Sequence, residues 1–565
     1  MAKFTIYQLF PRLFTNYNPN RKANGSIEEN GCGKFNFITD KALREIKKLG
    51  ITHIWYTGII EHATKTNYSA YGILPDFPEI VKGQAGSPYA IKDYYDVCPD
   101  LAENIPDRMA EFDALIARTH KNGLKVLIDF VPNHVARCYY SDSKPKNVRD
   151  FGANDDKNIG FSAQNNFYYL VNEEFKPQFA LNKFREFPAK VSGNDCFHPS
   201  PNSNDWYETA KLNYGIDYER GGEKHFFPLP DTWLKMRDIM FFWAEKQIDG
   251  FRCDMAEMVP VEFWAWIITQ VKKKFPEMIF IAEVYKPSEY HNYIANGKFD
   301  YLYDKVGLYE KLRSITSKNH AARDITYCWQ MLNTIQDRML NFLENHDEQR
   351  IASGFFAGNG MYAKPAMITA ATLTKAPVML YFGQELGELG MDSEGFSGVD
   401  GRTSIFDYWG VKSIQAWANA GKFDGKELSA EQKDLRDFYF KLLNITLKEK
   451  AITDGIMYDL EYANLNNPFF NSHDLFSYFR KYKNDLLLFV LNFHDKTLET
   501  QVRLPHEVFQ FLELEENNNY EYWNLLDDLE EKKTMQLSSN QTFNTEMPPW
   551  TGKIFKFKIR TKNKE

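Results

Sequence analysis

The chain has 565 residues, with 68 Lys and Arg against 76 Asp and Glu, a net charge of −8 and a pI near 5.9. At roughly 150 residues per domain, that length predicts several domains, or one large barrel with additions. A mildly acidic chain without basic runs excludes a nucleic-acid partner, whose phosphates require clustered Lys and Arg. The balance of 25% charged and 43% hydrophobic residues excludes bulk disorder. No apolar run approaches the roughly 18 residues of a membrane span; the run Leu486–Leu491 is only strand-length. Met1-Ala2-Lys3 leads directly into Phe4-Thr5-Ile6-Tyr7, with no charged-then-apolar leader, which predicts a cytoplasmic protein. Cysteines 32, 98, 138, 196, 253 and 328 are scattered without a CxxC pair, as expected of reduced thiols. The 16% aromatic content suits either an aromatic-rich core or a surface that stacks on flat rings.

In chain order, short apolar runs alternate with helical patterns over the first 450 residues. The runs are Phe4–Phe10, His53–Ile59, Lys125–Val131, Asp249–Cys253, Met278–Val284, Tyr301–Val306, Met339–Leu343 and Pro377–Phe382. Being nearly continuous and rich in β-branched and aromatic residues, they read as parallel strands buried on both faces. Between them, Asp40–Leu49 places Leu43, Ile46 and Leu49 on one helical face, with Asp40 as N-cap and Gly50 as the stop. Asp107–Lys121, Thr232–Lys246 and Val261–Lys274 read as further helices. Eight strands alternating with helices predict an α/β fold, a (β/α)₈ TIM barrel.

Two regions break the alternation. Residues 138–230 have no sustained helical period and are rich in Asn, Pro, Gly and Tyr, so they predict an inserted domain after strand 3. Residues 451–565 read as short strands at Leu475–Arg480, Leu486–Phe493, Leu498–Leu504 and Lys553–Ile559, the pattern of a C-terminal antiparallel β-sandwich, with a polar tail at Thr561–Glu565. The barrel then comprises residues 1–137 and 231–450.

Catalytic groups of such barrels stand at the C-terminal ends of strands. Those positions hold Asp129, Asn133 and His134 after strand three, Arg252 and Asp254 after strand four, Glu283 after strand five, and Asn345, His346 and Asp347 after strand seven. Taken singly, each acid reads as a helix cap or an ion-pair partner. Three acids on three strand ends, with Arg and His beside them, read as a site. Arg252 lies two residues before Asp254, so both side chains point the same way and Arg252 would keep Asp254 ionised. Glu283, framed by Ile281, Ala282 and Val284, would hold a proton. An ionised and a protonated carboxyl together are what retaining glycoside hydrolysis needs.

The chain resembles glycoside hydrolase family 13, the α-amylase family. Its four hallmark segments appear in order: Asp129-Phe-Val-Pro-Asn-His134, Gly250-Phe-Arg-Cys-Asp254, Ala282-Glu283-Val-Tyr285 and Phe342-Leu-Glu-Asn-His-Asp347. The resemblance implies a barrel (domain A), an inserted domain B and a C-terminal domain C. It also implies that Asp254 is the nucleophile and Glu283 the general acid/base. Asp347 would hold the 2- and 3-hydroxyls of the reactive sugar, Arg252 would hold Asp254, His134 and His346 would contact the same sugar, and Asp129 would support them. In Ser87-Pro88-Tyr89-Ala-Ile-Lys-Asp93-Tyr94, Tyr89 matches a tyrosine that stacks on that sugar. Glu257 and Met258 stand where many α-amylases carry a Lys-His pair for the leaving-group sugar. Lys211 in Ala210-Lys211-Leu212-Asn213 matches the neopullulanase and cyclodextrinase type. Asn133 matches a Ca²⁺ ligand of many α-amylases, although no full set of the six to eight oxygens that Ca²⁺ takes is evident.

The expected activity is therefore retaining hydrolysis of α-1,4-glucosidic bonds in starch, glycogen or maltodextrins. It needs no cofactor for the chemistry, with a structural Ca²⁺ as the one expected metal and an α-glucan as the one expected partner. The alternatives are cyclomaltodextrinase- or neopullulanase-like cleavage, 4-α-glucanotransfer, and a non-catalytic carbohydrate-binding barrel. The last is opposed by the presence of all three acids.

Overall fold

The computed structural model describes residues 3–527 and 531–559; the tail Thr561–Glu565 lies outside them. Eight parallel strands close into a barrel: β1 (Thr5–Leu9), β2 (His53–Tyr56), β3 (Lys125–Phe130), β4 (Gly250–Cys253), β5 (Ile279–Ala282), β6 (Tyr301–Tyr303), β7 (Met339–Phe342) and β8 (Val378–Tyr381), with β8 pairing back onto β1. Each coincides with one of the eight expected runs. Alternate residues bury on opposite sides. Ile6, Trp55, Leu127, Ile281, Tyr303, Leu340 and Met379 pack together as one cluster, while Tyr7, Ile54, Val126, Phe251, Phe280 and Leu380 belong to another that includes the helices. Burial on both faces is why the strands read as continuous apolar runs rather than alternating ones.

The expected helices form, with small shifts at their ends. α1 spans Asp40–Lys48, α2 Arg108–Lys121, α3 Asp231–Glu245 and α4 Val261–Lys274. The N-cap of α1 is Thr39, whose hydroxyl accepts from Ala42 N at 3.3 Å, and not Asp40 as expected. Asp40 is the first helical residue and accepts from Asn122 Nδ2 at 2.7 Å. Gly50 ends the segment at φ +96°, a conformation that favours glycine.

Three excursions leave the barrel. After β2 the chain builds an antiparallel ribbon from Ile60–His62 and Ile91–Val97, which the sequence pattern did not predict. After β3, His134–Ala136 pairs antiparallel with Thr209–Lys211, and short pairs form at Tyr169–Leu170 with Ala189–Lys190 and at Ile216–Asp217 with Glu223–Lys224. Among the described residues no helix lies between α2 and α3.

The third excursion is C-terminal. It contains β9 (Ile456–Asp459), β10 (Leu475–Tyr482), β11 (Asp485–Asn492), β12 (Leu498–Arg503), β13 (Asn518–Asn524), β14 (Lys533–Leu537), β15 (Thr542–Met547) and β16 (Thr551–Ile559). Six form one antiparallel sheet in the order β9-β10-β11-β16-β13-β14, and β12 pairs with β15. Phe479, Leu488, Val490, Val502, Phe543 and Phe555 bury between the two layers. No helix of the described residues is long and apolar enough to cross a membrane.

Candidate active site

Parallel pairing sets the level at which each side chain leaves the barrel. Cys253 of β4 is in register with Ala282 of β5, so the next residues, Asp254 and Glu283, emerge side by side. Arg252 is in register with Asp129 of β3. The loop after β7 brings His346 and Asp347 to the same rim. A cavity of about 380 Å³ opens there, lined by Tyr89, His134, Asp254, Glu283, His346 and Asp347 among others. A larger hollow of about 690 Å³ lies between Trp329 and Tyr458, but none of Asp129, Asp254, Glu283 and Asp347 lines it.

Arg252, 1% exposed, is the hub. Its Nη1 donates to Asp254 Oδ1 at 2.7 Å, its Nη2 lies 2.8 Å from Glu283 Oε2, and its Nε donates to Tyr303 OH at 3.2 Å. Asp129 Oδ1 stands farther off, 3.5 Å from Nη1, while Asp129 Oδ2 accepts from Trp55 Nε1 at 3.1 Å and Gly58 N at 3.2 Å. Asp129 thus supports the arginine and touches the cavity only through its neighbours.

Glu283 is not in the apolar setting that its flanking residues suggest. Its Oε1 accepts from Tyr285 OH at 2.5 Å and its Oε2 from Met255 N at 2.8 Å, in addition to the Arg252 contact. Met255 reaches it from a left-handed backbone, φ +41°, uncommon for a residue other than glycine and maintained here at the rim of the cavity. Burial and then Glu283 push the Asp254 carboxyl well above its ordinary range, against the pull of Arg252. Burial raises Asp129 to about 6. Asp347 is pushed up to about 7, first by burial and then by Glu283, an effect reduced by the 43% of its side chain that remains open to water.

Both histidines are neutral. Burial, and then Lys211 and Lys82, lower His134 to about 3, and burial with Arg252 lowers His346. His346 Nε2 lies 2.6 Å from Tyr89 OH and 3.1 Å from Asp347 Oδ2, with Gln8 Nε2 2.9 Å from its Nδ1. The Tyr89 ring stacks on His346 with centroids 5.1 Å apart and also lines the cavity.

Three expected positions stand elsewhere. Glu257 turns its Oε2 to the backbone, accepting from Tyr285 N at 3.1 Å and Lys286 N at 3.0 Å, and neither it nor Met258 lines the cavity. Glu257 therefore braces the loop carrying Glu283. The third is Asn133. Its Oδ1 accepts from Lys211 Nζ at 3.0 Å, its Nδ2 donates to Gly193 O at 2.8 Å, and Lys211 pairs with Asp195 at 2.5 Å. Lys211 comes from the strand beside His134, in register with it, and is 2% exposed. A buried ammonium already supplies the positive charge at Asn133, so this donor set does not fit Ca²⁺, and the expectation of a metal ligand there is corrected. Replacing Lys211 by Met strands the Asn133 oxygen and Asp195. Because Asp195 is 42% exposed, the ion-pair part is discounted for screening, and the expected loss is about 2 kcal/mol. Denaturant unfolding measures it, and a midpoint equal to that of the parent chain counts against the role given to Lys211.

Other cavity residues were not singled out in the sequence. Trp206 packs at 5.1 Å on His134, and Lys82 and Glu208 form a buried ion pair at 3.1 Å. Lys305 sits 3.2 Å from Glu348 Oε1, and Phe406 completes the wall. They lie on different connections, Lys82 after β2, Trp206 and Glu208 after β3, Lys305 after β6 and Phe406 after β8, and carry no local pattern. The signal available for Tyr285 and Tyr303 was their place at strand ends. Arg402, from Asp400-Gly401-Arg402, donates through Nε to the Asp347 carbonyl at 2.6 Å and so fixes that loop.

The family model described as "Alpha amylase, catalytic domain" matches residues 8–437. Alpha-amylase 3 of Dictyoglomus thermophilum is 24% identical over 482 residues, covering 80% of this chain and 78% of that protein. Cyclomaltodextrinase of Thermoanaerobacter pseudethanolicus is 22% identical over 539 residues, covering 92% and 75%. The fold is shared with a noncanonic maltogenic alpha-amylase, AmyB, from Thermotoga neapolitana, at TM-score 0.62, 19% identity and 99% coverage of both chains.

Proposed function

We infer, from the premise that this chain belongs to the alpha-amylase family, that it hydrolyses α-1,4-glucosidic bonds of starch, glycogen or maltodextrins with retention of configuration. The observation that supports this most is one guanidinium, Arg252, in contact with both Asp254 and Glu283 at the edge of a cavity that Asp347 also lines. On this reading residues 138–230 are an inserted domain B and residues 451–565 a domain C around a barrel of residues 1–137 and 231–450.

Asp254 attacks the anomeric carbon as its bond to the leaving oxygen breaks, and Glu283 gives its proton to that oxygen. A covalent glycosyl ester of Asp254 forms with inversion. Water then attacks the same carbon from the opposite face, its proton passes to Glu283, and a second inversion restores the original configuration. Tyr285 OH, which donates to Glu283 Oε1, becomes the acceptor when Glu283 carries the proton. Asp347 accepts from sugar hydroxyls beside neutral His346, and the Tyr89 ring bounds the sugar on one side. No step requires a cofactor.

A second reading, cyclomaltodextrinase- or neopullulanase-like cleavage or glucanotransfer, is favoured by Lys211 and by the likeness to a cyclomaltodextrinase. It uses the same ester and differs in whether water or a sugar hydroxyl attacks. Maltoheptaose followed by proton NMR tests both. New reducing ends should appear first as the α-anomer, and products longer than the substrate identify transfer. A β-anomer appearing first overturns the retaining assignment.

A further inference from the structure

Away from the catalytic cavity, the ribbon after β2 directs carboxylates into the interior. Register shifts on both sides of Glu61 bulge its strand, a distortion that re-aims a side chain. One oxygen from each of Glu61, Asp93 and Asp96 lies within 4.8 Å of the others, and all three residues are buried. Protein donors fix two of them. Asp93 Oδ1 accepts from Ser141 Oγ at 2.6 Å and Tyr95 N at 2.8 Å, its Oδ2 from Ser143 N at 3.0 Å, and Asp96 Oδ2 pairs with Arg108 Nη2 at 2.5 Å.

Glu61 differs. It is 1% exposed, and its Oε2 has no hydrogen-bond partner. Lys92 Nζ stands 3.9 Å from Oε1, and that ammonium is already engaged by Leu74 O and, at 3.4 Å, by Asp76. The local charge is also unbalanced. With their carboxyls ionised, Glu61, Asp76, Asp93 and Asp96 carry four negative charges, against two positive ones on Lys92 and Arg108. Burying an excess of two charges is costly in a medium of low dielectric constant.

We propose that Glu61, Asp93 and Asp96 bind one hard divalent cation of the Ca²⁺ type. Three oxygens no more than 4.8 Å apart lie at most about 2.8 Å from a common centre, so a shift of a few tenths of an ångström brings all three to the Ca²⁺–oxygen distance of about 2.4 Å. One divalent charge cancels the local excess, and water with the adjacent Ser141 hydroxyl completes the shell. The cation ties the strand that continues from Tyr89 to the 141–143 segment leaving the barrel after β3. The site is distinct from Asn133, where Lys211 supplies the charge.

The test uses the full chain stripped with EDTA, titrated with Ca²⁺ in a calorimeter and melted with and without it. One Ca²⁺ per chain and a melting temperature raised by a few degrees are expected. Glu61→Gln removes a charge and no hydrogen bond from Oε2, so it should fold and lose both effects; Asp96→Asn repeats the measurement if it does not. Stripped parent protein that takes up no Ca²⁺ and melts unchanged overturns the proposal. So does a Glu61→Gln variant with undiminished uptake, which places the cation elsewhere, or one that melts higher than an indifferent parent, which makes a proton the neutralising charge.

Discussion

Asp254→Asn is expected to reduce kcat on maltoheptaose by about 10⁴-fold or more while leaving the fold and sugar affinity in place. The amide is close to the carboxylate in shape and can still accept from Arg252, so the cavity keeps its form. What it lacks is a nucleophile able to form the ester. Turnover of the purified variant by reducing-sugar release, with affinity by calorimetry, separates chemistry from binding. A variant within tenfold of the parent would refute Asp254 as the nucleophile. Loss of affinity in step with turnover points instead to a structural role.

Glu283→Gln should split according to leaving group. Malto-oligosaccharides depart as poor leaving groups that need a proton, so their cleavage is expected to fall about 10²- to 10⁴-fold. Maltosyl fluoride needs no proton to leave, so its first step should be nearly spared. With no base to activate water, the ester accumulates, and azide should release it as the α-maltosyl azide. The β-azide, or equal losses on both substrates, would count against Glu283 as acid/base. The same variant tests the electrostatics. Burial raises Asp254 against the pull of Arg252, and Asp254 must be ionised to attack. The acid limb of kcat/KM in the parent therefore lies above the ordinary Asp range near 3.9, with activity gained as pH rises through it. In the attacking form Glu283 holds its proton and adds no negative charge beside Asp254, so Glu283→Gln should leave the acid limb on maltosyl fluoride in place; a limb that moves to lower pH means that Glu283 is ionised when Asp254 attacks, which counts against its role as the acid.

The barrel was legible because its strands are buried on both faces. Even the three-residue Tyr301–Tyr303 left an apolar trace. The strands Asn518–Asn524, Lys533–Leu537 and Thr542–Met547 were missed because they expose one face and are largely polar. In the site, the residues on strand ends could be named from their positions, since parallel register fixes where they emerge. Their surroundings could not. Glu283 has Ile281 and Ala282 beside it in sequence, yet its donors come from Met255 on the neighbouring strand end, from Tyr285 and from Arg252. Asn133 matches a family Ca²⁺ ligand by its place in the segment, whereas its actual partner, Lys211, lies 78 residues on and arrives only through a ribbon pairing. Thr39 displaced Asp40 as cap for a smaller reason: both are good capping residues, and one position decides.

That a single guanidinium serves two acids has a consequence for timing. In the resting cavity Arg252 divides its charge between Asp254 and Glu283. In the proposed cycle the first becomes a neutral ester, and the whole of that charge is left to the second. Glu283, having just parted with its proton, then meets the incoming water as a carboxylate, held so by the cation its neighbour has released. Hydrolysis of the ester returns the division to its starting point, so the arginine paces the alternation without moving.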